Sequence, residues 1–487
     1  MAAENDGIHF RERSSQAVGR SVFADAVAGV DPGLAARIHN SKEWRKTYLG
    51  PVREVVEAGA RSGAAALRIA DEGLRAVAQQ MVFRRAGQEM SLAEAYKDLA
   101  PGHLHTTTIP GRGPRGTEPV IPFKGNELRG GSLDHQLDDW VSRGTIEASC
   151  AAAVRTVMAH PEWMDLSGQH FVLLGAASEM GPLEWLTRWG AEVLAIDLPR
   201  PELWRRIITV AEEGSGNVHI PSFSIPGGSD LAEIAGADLL EHGPEVRAWI
   251  ASFEAPLVIG NYVYADGSTF LRLAAGMDGL IASLTEGRND VAISYLATPT
   301  DVFAVPREVA LAARAHMSAP SKLMRALTLG KTFSPNYQQL VRDDGGSEWG
   351  IADALVPQQG PNYALAKMLQ RWRATASKAS GRLTSANVAP ATKTRSVMKN
   401  KVLAAAFRGA SAFGVEVFDP STARALNSLL LLRDLKDPQA PGSPASELAH
   451  PFDLFVEGAA HGGMWRLGYE PRSVLPLAVG VGLLRRP

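Results

Sequence analysis

From Phe171 onward the chain alternates short apolar runs with longer stretches of helical periodicity, and this alternation restricts the fold more than any other feature. The runs are Phe171-Val-Leu-Leu, Val193-Leu-Ala-Ile, Pro256-Leu-Val-Ile and Val291-Ala-Ile-Ser-Tyr-Leu, each bounded by Gly, Asp or Pro. Continuous apolar runs of this length mark strands buried on both faces. Such strands, joined by helices, predict an α/β fold with a doubly wound parallel sheet. The sheet domain is expected over residues 165–430. Residues 1–160 read as a mainly helical region, because apolar residues recur at helical spacing in Val52–Ala58 and Ala64–Ala70. A further helix is expected over Ile146–His160. His103 to Gly131 is rich in Thr, Pro, Gly and Arg, which predicts an extended arm. A Pro-, Gly- and Ser-rich stretch at Asp437 opens a C-terminal appendage over residues 434–487.

Bulk properties narrow the function classes. Lys and Arg number 50 against 52 Asp and Glu, a formal charge of -2, so the global balance offers no electrostatic reason to bind nucleic acid or an anionic membrane. The single cysteine, Cys150, excludes an intrachain disulfide and a thiolate metal cluster. His103 and His105 lack metal-ligand partners at suitable spacing and read as loop residues. The N-terminus carries no secretory pattern, and the longest apolar tail, Val474–Leu484, is too short to span a bilayer, which leaves only an interfacial role open to it. A cytoplasmic protein is the expectation.

The first strand runs into Gly175-Ala176-Ala-Ser178-Glu179-Met180-Gly181 and then an apparent amphipathic helix. Glycine at a strand end lets the backbone approach a pyrophosphate, and the helix N-terminus offers N–H groups and a positive dipole to it. The second strand ends at Asp197, about 20 residues on, where a carboxylate accepts ribose hydroxyls and repels a 2′-phosphate. Strand, turn, helix and acid together predict a Rossmann-like site for NAD(H). NADP(H) is the weaker candidate, although Arg200 lies close by.

These residues resemble the short-chain dehydrogenase/reductase superfamily. Its turn has the form Thr-Gly-x-x-x-Gly-x-Gly; Gly175 and Gly181 match the first and last glycines, while Glu179 replaces the middle one. Downstream, Tyr363-Ala-Leu-Ala-Lys367 supplies the family's Tyr-x-x-x-Lys on one helical face. Arg382–Thr394 resembles the sixth strand, followed by Pro390 and by Thr394, which the resemblance places at the nicotinamide amide. Asp238 resembles the acid near the adenine. Asn261 ends the fourth strand, either holding it in shape or capping a turn. The family serine has no direct counterpart: the tyrosine lies more than 60 residues beyond the fifth strand, which implies a lid-like insertion over about 302–358. Thr298 or Thr300 then supplies the hydroxyl; Ser347 is nearer Tyr363 in sequence but sits in a Gly-Gly-Ser-Glu loop. The resemblance covers roughly 260 of 487 residues.

What it implies is an NAD-dependent oxidoreductase acting on a carbonyl or alcohol of an apolar small molecule. Tyr363 is the implied acid/base, with Lys367 lowering its pKa. Met317, Leu323, Met324, Phe333 and Trp349 of the insertion are expected to wall the substrate pocket. The alternative is a nucleotide-binding protein without redox chemistry (a sensor, scaffold or isomerase), or an assembly protein whose N-terminal helices matter most. Two further features stay outside the site: His461, read as a turn packing Trp465, and Arg112 and Arg115, read as an arm gripping a neighbouring subunit of a homo-oligomer rather than holding a phosphate or carboxylate.

Overall fold

A computed structural model describes residues 6–12, 14–225, 227, 230–315, 317 and 319–485. Seven strands form the main sheet: β1 (His105–Pro110), β2 (His170–Leu174), β3 (Glu192–Ile196), β4 (Asn217–Ser222), β5 (Leu257–Asn261), β6 (Val291–Ala297) and β7 (Thr384–Val388). They lie in the order β7-β6-β5-β2-β3-β4-β1. All adjacent pairs from β7 to β4 are parallel, and β1 is antiparallel to β4. The sheet grows from β2 outward through β3 and β4 on one side, then through β5, β6 and β7 on the other. This α/β arrangement is compatible with a Rossmann-like fold. Its order reverses between β2 and β5, and a crevice outside the carboxyl ends of strands at such a point is where α/β sheets bind ligands.

Successive side chains of one strand enter different cores, as the two-residue strand period demands. Val172 and Leu174 of β2 join a core that also holds Phe23, Trp44, Val55 and Ile69 of the N-terminal helices. Phe171 and Leu173 join another, with Leu133, Trp140, Val154 and Leu430. Burying one such large side chain contributes about 1.5–3 kcal/mol, so the N-terminal helices are held by the sheet's own core. The long helix Pro361–Ala379 packs against both the N-terminal helix Gly63–Gln80 and the helix Gly267–Thr285.

Three expectations are corrected. The Thr-rich arm is the edge strand β1, and Gly111 and Gly113 continue its pairing by donating N–H bonds to Gly216 and Gly214. Arg115 pairs with Asp165 of the same chain at 2.7 Å. Alternating Thr and His side chains satisfied a strand better than a linker because the edge of β4 would otherwise leave its backbone groups unpaired. The N-terminal region is also less helical than its periodicity implied: Gly7–Phe10, Met81–Arg85 and Gln88–Ser91 form an antiparallel sheet around a turn at Ala86-Gly87. Finally, the insertion contains a second antiparallel sheet of Val302–Pro306, Leu340–Arg342 and Glu348–Asp353. Its five named side chains do not wall one pocket. Trp349 is buried in the first core, Phe333 lies in a separate cluster with Tyr469, and Leu323 and Met324 face solvent.

Candidate functional site

The turn after β2 needs its glycine. Gly175 has φ 81°, and a Cβ there would sit 3.1 Å from the Tyr262 carbonyl and the Val263 Cα, so the end of β5 passes directly over it. The N–H groups of Gly175 and Ala176 both donate to the Ile196 carbonyl, extending the β2–β3 pairing past the strand ends. The next N–H, of Ala177, donates to Asp197 Oδ2 at 2.8 Å, and Leu198 N–H donates to Oδ1 at 2.8 Å. Burial pushes the Asp197 carboxyl above its ordinary range, opposed by those two bonds and by the nearby Arg206 and Arg200 charges.

Beyond Ala177 the turn closes on itself. Ser178 donates its N–H to the Gly175 carbonyl and Gly181 to that of Ser178. Glu179 reaches across the strand ends, accepting the Arg395 N–H at 2.7 Å and pairing with its guanidinium at 3.2 Å. Met180 packs against the core beneath. The following helix is only Leu183–Arg188, so few peptide dipoles add at its start. A Cβ on Gly181 would meet only ordinary contacts at 3.5 Å or more, so close helix packing does not require that glycine.

Ala237, between Gly236 and Asp238, donates its N–H to the Asp197 carbonyl, which sets this segment beside the end of β3. The Asp238 carboxylate accepts the Leu240 N–H at 2.8 Å and closes a local turn. Asn261 pairs with Leu174 and Tyr295 in the sheet, and its side-chain carbonyl accepts the Val263 N–H, so it shapes the chain reversal that covers Gly175.

The other end of the crevice is built from residues far apart in sequence. Thr298 and Thr300 follow β6, their hydroxyls 2.9 Å apart. Gln359 donates to the Thr300 carbonyl at 2.9 Å and to its hydroxyl at 3.0 Å. Thr298, Gln359 and Thr300 surround the Tyr363 hydroxyl. Its ring packs on Phe270 at 5.7 Å. Burial pushes the phenol up to about 12, with those three polar neighbours opposing and the Asp301 charge adding to the shift.

Lys367 lies one helical turn further, on the face shared with Tyr363. Its ammonium donates to the Leu296 carbonyl at 3.3 Å and to Gln370 Oε1 at 3.1 Å. Burial pushes it down to about 8, with Asp301 opposing. Thr298, Asp301, Lys367 and Arg371 line a cavity of about 10 Å³, the size of a single water site. Arg371 pairs with Asp301 at 3.2 Å and lies 4.2 Å over the Phe303 ring.

The segment after β7 joins the two ends. Thr392 donates its hydroxyl to the Pro390 carbonyl, Thr394 and Ser396 share a hydroxyl contact of 3.0 Å, and Arg395 between them holds Glu179. Tyr264 reaches Ser396 from the β5 side and donates to Asp266 at 2.9 Å. Sequence reasoning missed Gln359, Tyr264 and the Asp301–Arg371 pair. Gln359 directly precedes the Gly-Pro that starts the Tyr363 helix, and Asp301 follows the two threonines, so adjacency was the available signal. His461, by contrast, is buried away from this crevice: it donates to Glu147 at 2.8 Å, accepts the Gly463 N–H and stacks on Trp465. Arg466 holds the same Glu147 carboxylate, which the bonds from His461 and Arg466 push down to about 2 against the cost of burial.

A dinucleotide is what the resemblance implies, and Asp197 is the residue that would meet its ribose. Each Asp197 oxygen uses one backbone donor and keeps further acceptor capacity for a hydroxyl. At the turn after β2 the Glu179 charge is opposed by Arg395. Comparisons with protein-family models, with curated proteins and with solved structures return no match.

Proposed function

We propose that this chain is an NAD(H)-dependent oxidoreductase of the short-chain dehydrogenase type, built on a doubly wound sheet, that acts on a carbonyl or alcohol of an apolar small molecule. The observation that carries this reading is the convergence of Tyr363 with Thr298 and Thr300 at the carboxyl end of β6, despite the long insertion between them. A hydroxyl pair and a phenol converging at that strand end form a holder for one substrate oxygen.

In this reading Asp197 takes the adenosine ribose, Gly175 and Ala176 through Gly181 border the pyrophosphate, and Pro390 and Thr394 border the nicotinamide. When bound, the dinucleotide supplies or accepts a hydride. Thr298 and Thr300 orient the substrate oxygen, with Gln359 fixing Thr300. A phenol held near 12 stays protonated at neutral pH, so Tyr363 is prepared to donate a proton to that oxygen as a carbonyl is reduced. The Asp197 carboxylate disfavours a 2′-phosphate, while Arg200 and Arg206 reduce that discrimination.

Titration with NADH and NADPH by fluorescence, followed by turnover on a panel of carbonyl substrates, tests the proposal. It requires micromolar-range NADH binding (about -8 kcal/mol) and NADH oxidation that depends on Tyr363. A second reading, nucleotide binding without redox chemistry, is favoured by one observation: the Lys367 ammonium is engaged with Leu296 and Gln370. Tight NADH binding with no turnover of any carbonyl would select it.

A further inference from the structure

Three stretches of the chain carry no acidic residue at all: residues 317–342, 393–415 and 471–487. Together they hold 12 of the 50 Lys and Arg and none of the 52 Asp and Glu, so each of the three is locally basic in a chain of net charge -2. The fold assembles the described residues of these stretches into one lobe. Helices Lys401–Gly409 and Pro471–Leu484 touch backbone to backbone: a Cβ on Gly409 would lie 2.0 Å from the Ala478 carbonyl, and one on Gly482 would lie 1.8 Å from that of Ala405. Those two contacts, in reversed order, make the helices antiparallel and bring the Val402 end of one beside the Leu483 end of the other. The first stretch joins them through Ser334, whose carbonyl accepts the Glu470 N–H and whose own N–H donates to the Ser473 hydroxyl, and through Phe333 on Tyr469.

The lobe leaves large apolar side chains in solvent beside its cations. Val402 is 50 % exposed, Leu483 68 %, Leu484 87 % and Leu329 90 %. Helix Ala319–Leu327 has Lys322, Leu323, Met324, Arg325 and Leu327 all exposed, so its leucines pack into no core. Ion pairs within the chain occupy Lys393, Arg395 and Arg472. Lys322, Arg325, Lys331, Lys399, Lys401 and Arg485 stand exposed.

We infer that this lobe is a docking surface for an anionic lipid bilayer, with the leucines entering the headgroup boundary and the lysines and arginines meeting lipid phosphates. Leucine and lysine side by side on short exposed helices suit an interface with an apolar interior and a negative surface. A nucleic-acid backbone would use the cations and leave the leucines in water. A second copy would set like charges against each other across a twofold contact. Among the described residues no helix is long and apolar enough to cross a membrane, so the attachment is peripheral.

Co-sedimentation of the full chain with vesicles of phosphatidylcholine, with or without phosphatidylglycerol, tests this. The expected result is partition onto the phosphatidylglycerol vesicles that weakens with added salt. Leu483→Asp with Leu484→Asp, and separately Lys399→Glu with Lys401→Glu, should each lower that partition by about tenfold or more. All four positions are exposed, so the fold is kept, and Leu327→Asp with Leu329→Asp provides an independent variant from the first stretch. The proposal is overturned by partition onto neither vesicle or equally onto both. It is overturned as well by loss on charge reversal with the leucine variants unaffected, which indicates a soluble polyanion, or by a wild-type dimer that Leu483→Asp dissociates.

Discussion

Asp197 and Lys367 stand at opposite ends of one row of strand termini, and burial acts on both with opposite sign. The carboxyl is pushed up and the ammonium down, each toward its neutral form. Asp197 holds its proton more tightly in the folded chain, so its contribution to stability is full below the ordinary carboxylate value and is lost as pH rises through the raised one. Lys367 ionises at about 8 in the fold against an ordinary 10.5, so its contribution is full above 10.5 and is lost as pH falls through about 8. The local architectures differ too. The Asp197 end is a single turn whose partners lie within about 20 residues, whereas the Tyr363 end gathers Thr298, Gln359 and Tyr363 across the insertion. Local backbone bonds hold one end; long-range packing holds the other, and it should therefore be the more fragile.

The sharpest way to break this comparison is Tyr363→Phe. Removing the hydroxyl should lower turnover by about 10²–10⁴-fold while NADH affinity at the Asp197 end is unchanged; steady-state kinetics beside a fluorescence titration reads both. Next comes the scaffold of the long-range end. Asp301→Ala leaves the buried Arg371 guanidinium uncompensated and should cost about 3–5 kcal/mol in urea unfolding. Lys367→Met removes a buried ammonium at a cavity wall. At pH 7 it should stabilise the fold by up to about 3 kcal/mol, and the gain should vanish as the buffer is raised toward pH 10.5. A gain that persists at high pH would assign the effect to packing instead.

At the local end the effects are smaller. Gly175→Ala forces a Cβ into a left-handed backbone position over the Tyr262 carbonyl and should cost about 1–2 kcal/mol, read as a lowered melting temperature. Smallest is Glu179→Gln, which gives up a half-exposed ion pair worth about 1 kcal/mol or less. If the Glu179 charge opposes a pyrophosphate, that variant should bind NADH a few-fold tighter. Unchanged affinity would place the phosphates elsewhere.

Much of the sheet was legible because buried strands announce themselves by composition alone. Phe171–Leu174, Val193–Ile196 and Val291–Leu296 all lie within observed strands. Strand β4, Asn217–Ser222, was not singled out, since His219 and Pro221 interrupt its apolar run. The edge strand β1 escaped because Thr-rich polar alternation at an edge has the composition of a loop. At the site, Tyr363 and the Thr298/Thr300 pair could be paired from sequence as chemistry, but nothing local showed that Gln359 would bridge them. The global charge balance, which argued against anionic surfaces, concealed three acid-free basic stretches that only folding brings together.

The order of short apolar runs and helical stretches by itself determined the α/β class, the parallel strands and the glycine at the first strand end, because strand burial and backbone conformation depend on residue type over a few positions. Tertiary structure alone decided which groups use up each other's hydrogen-bonding capacity. Lys367 donates to the Leu296 carbonyl 71 positions away, and Glu179 accepts the Arg395 N–H 216 positions away. Burial and partner choice at such separations arise from packing, and they set the charge each group carries.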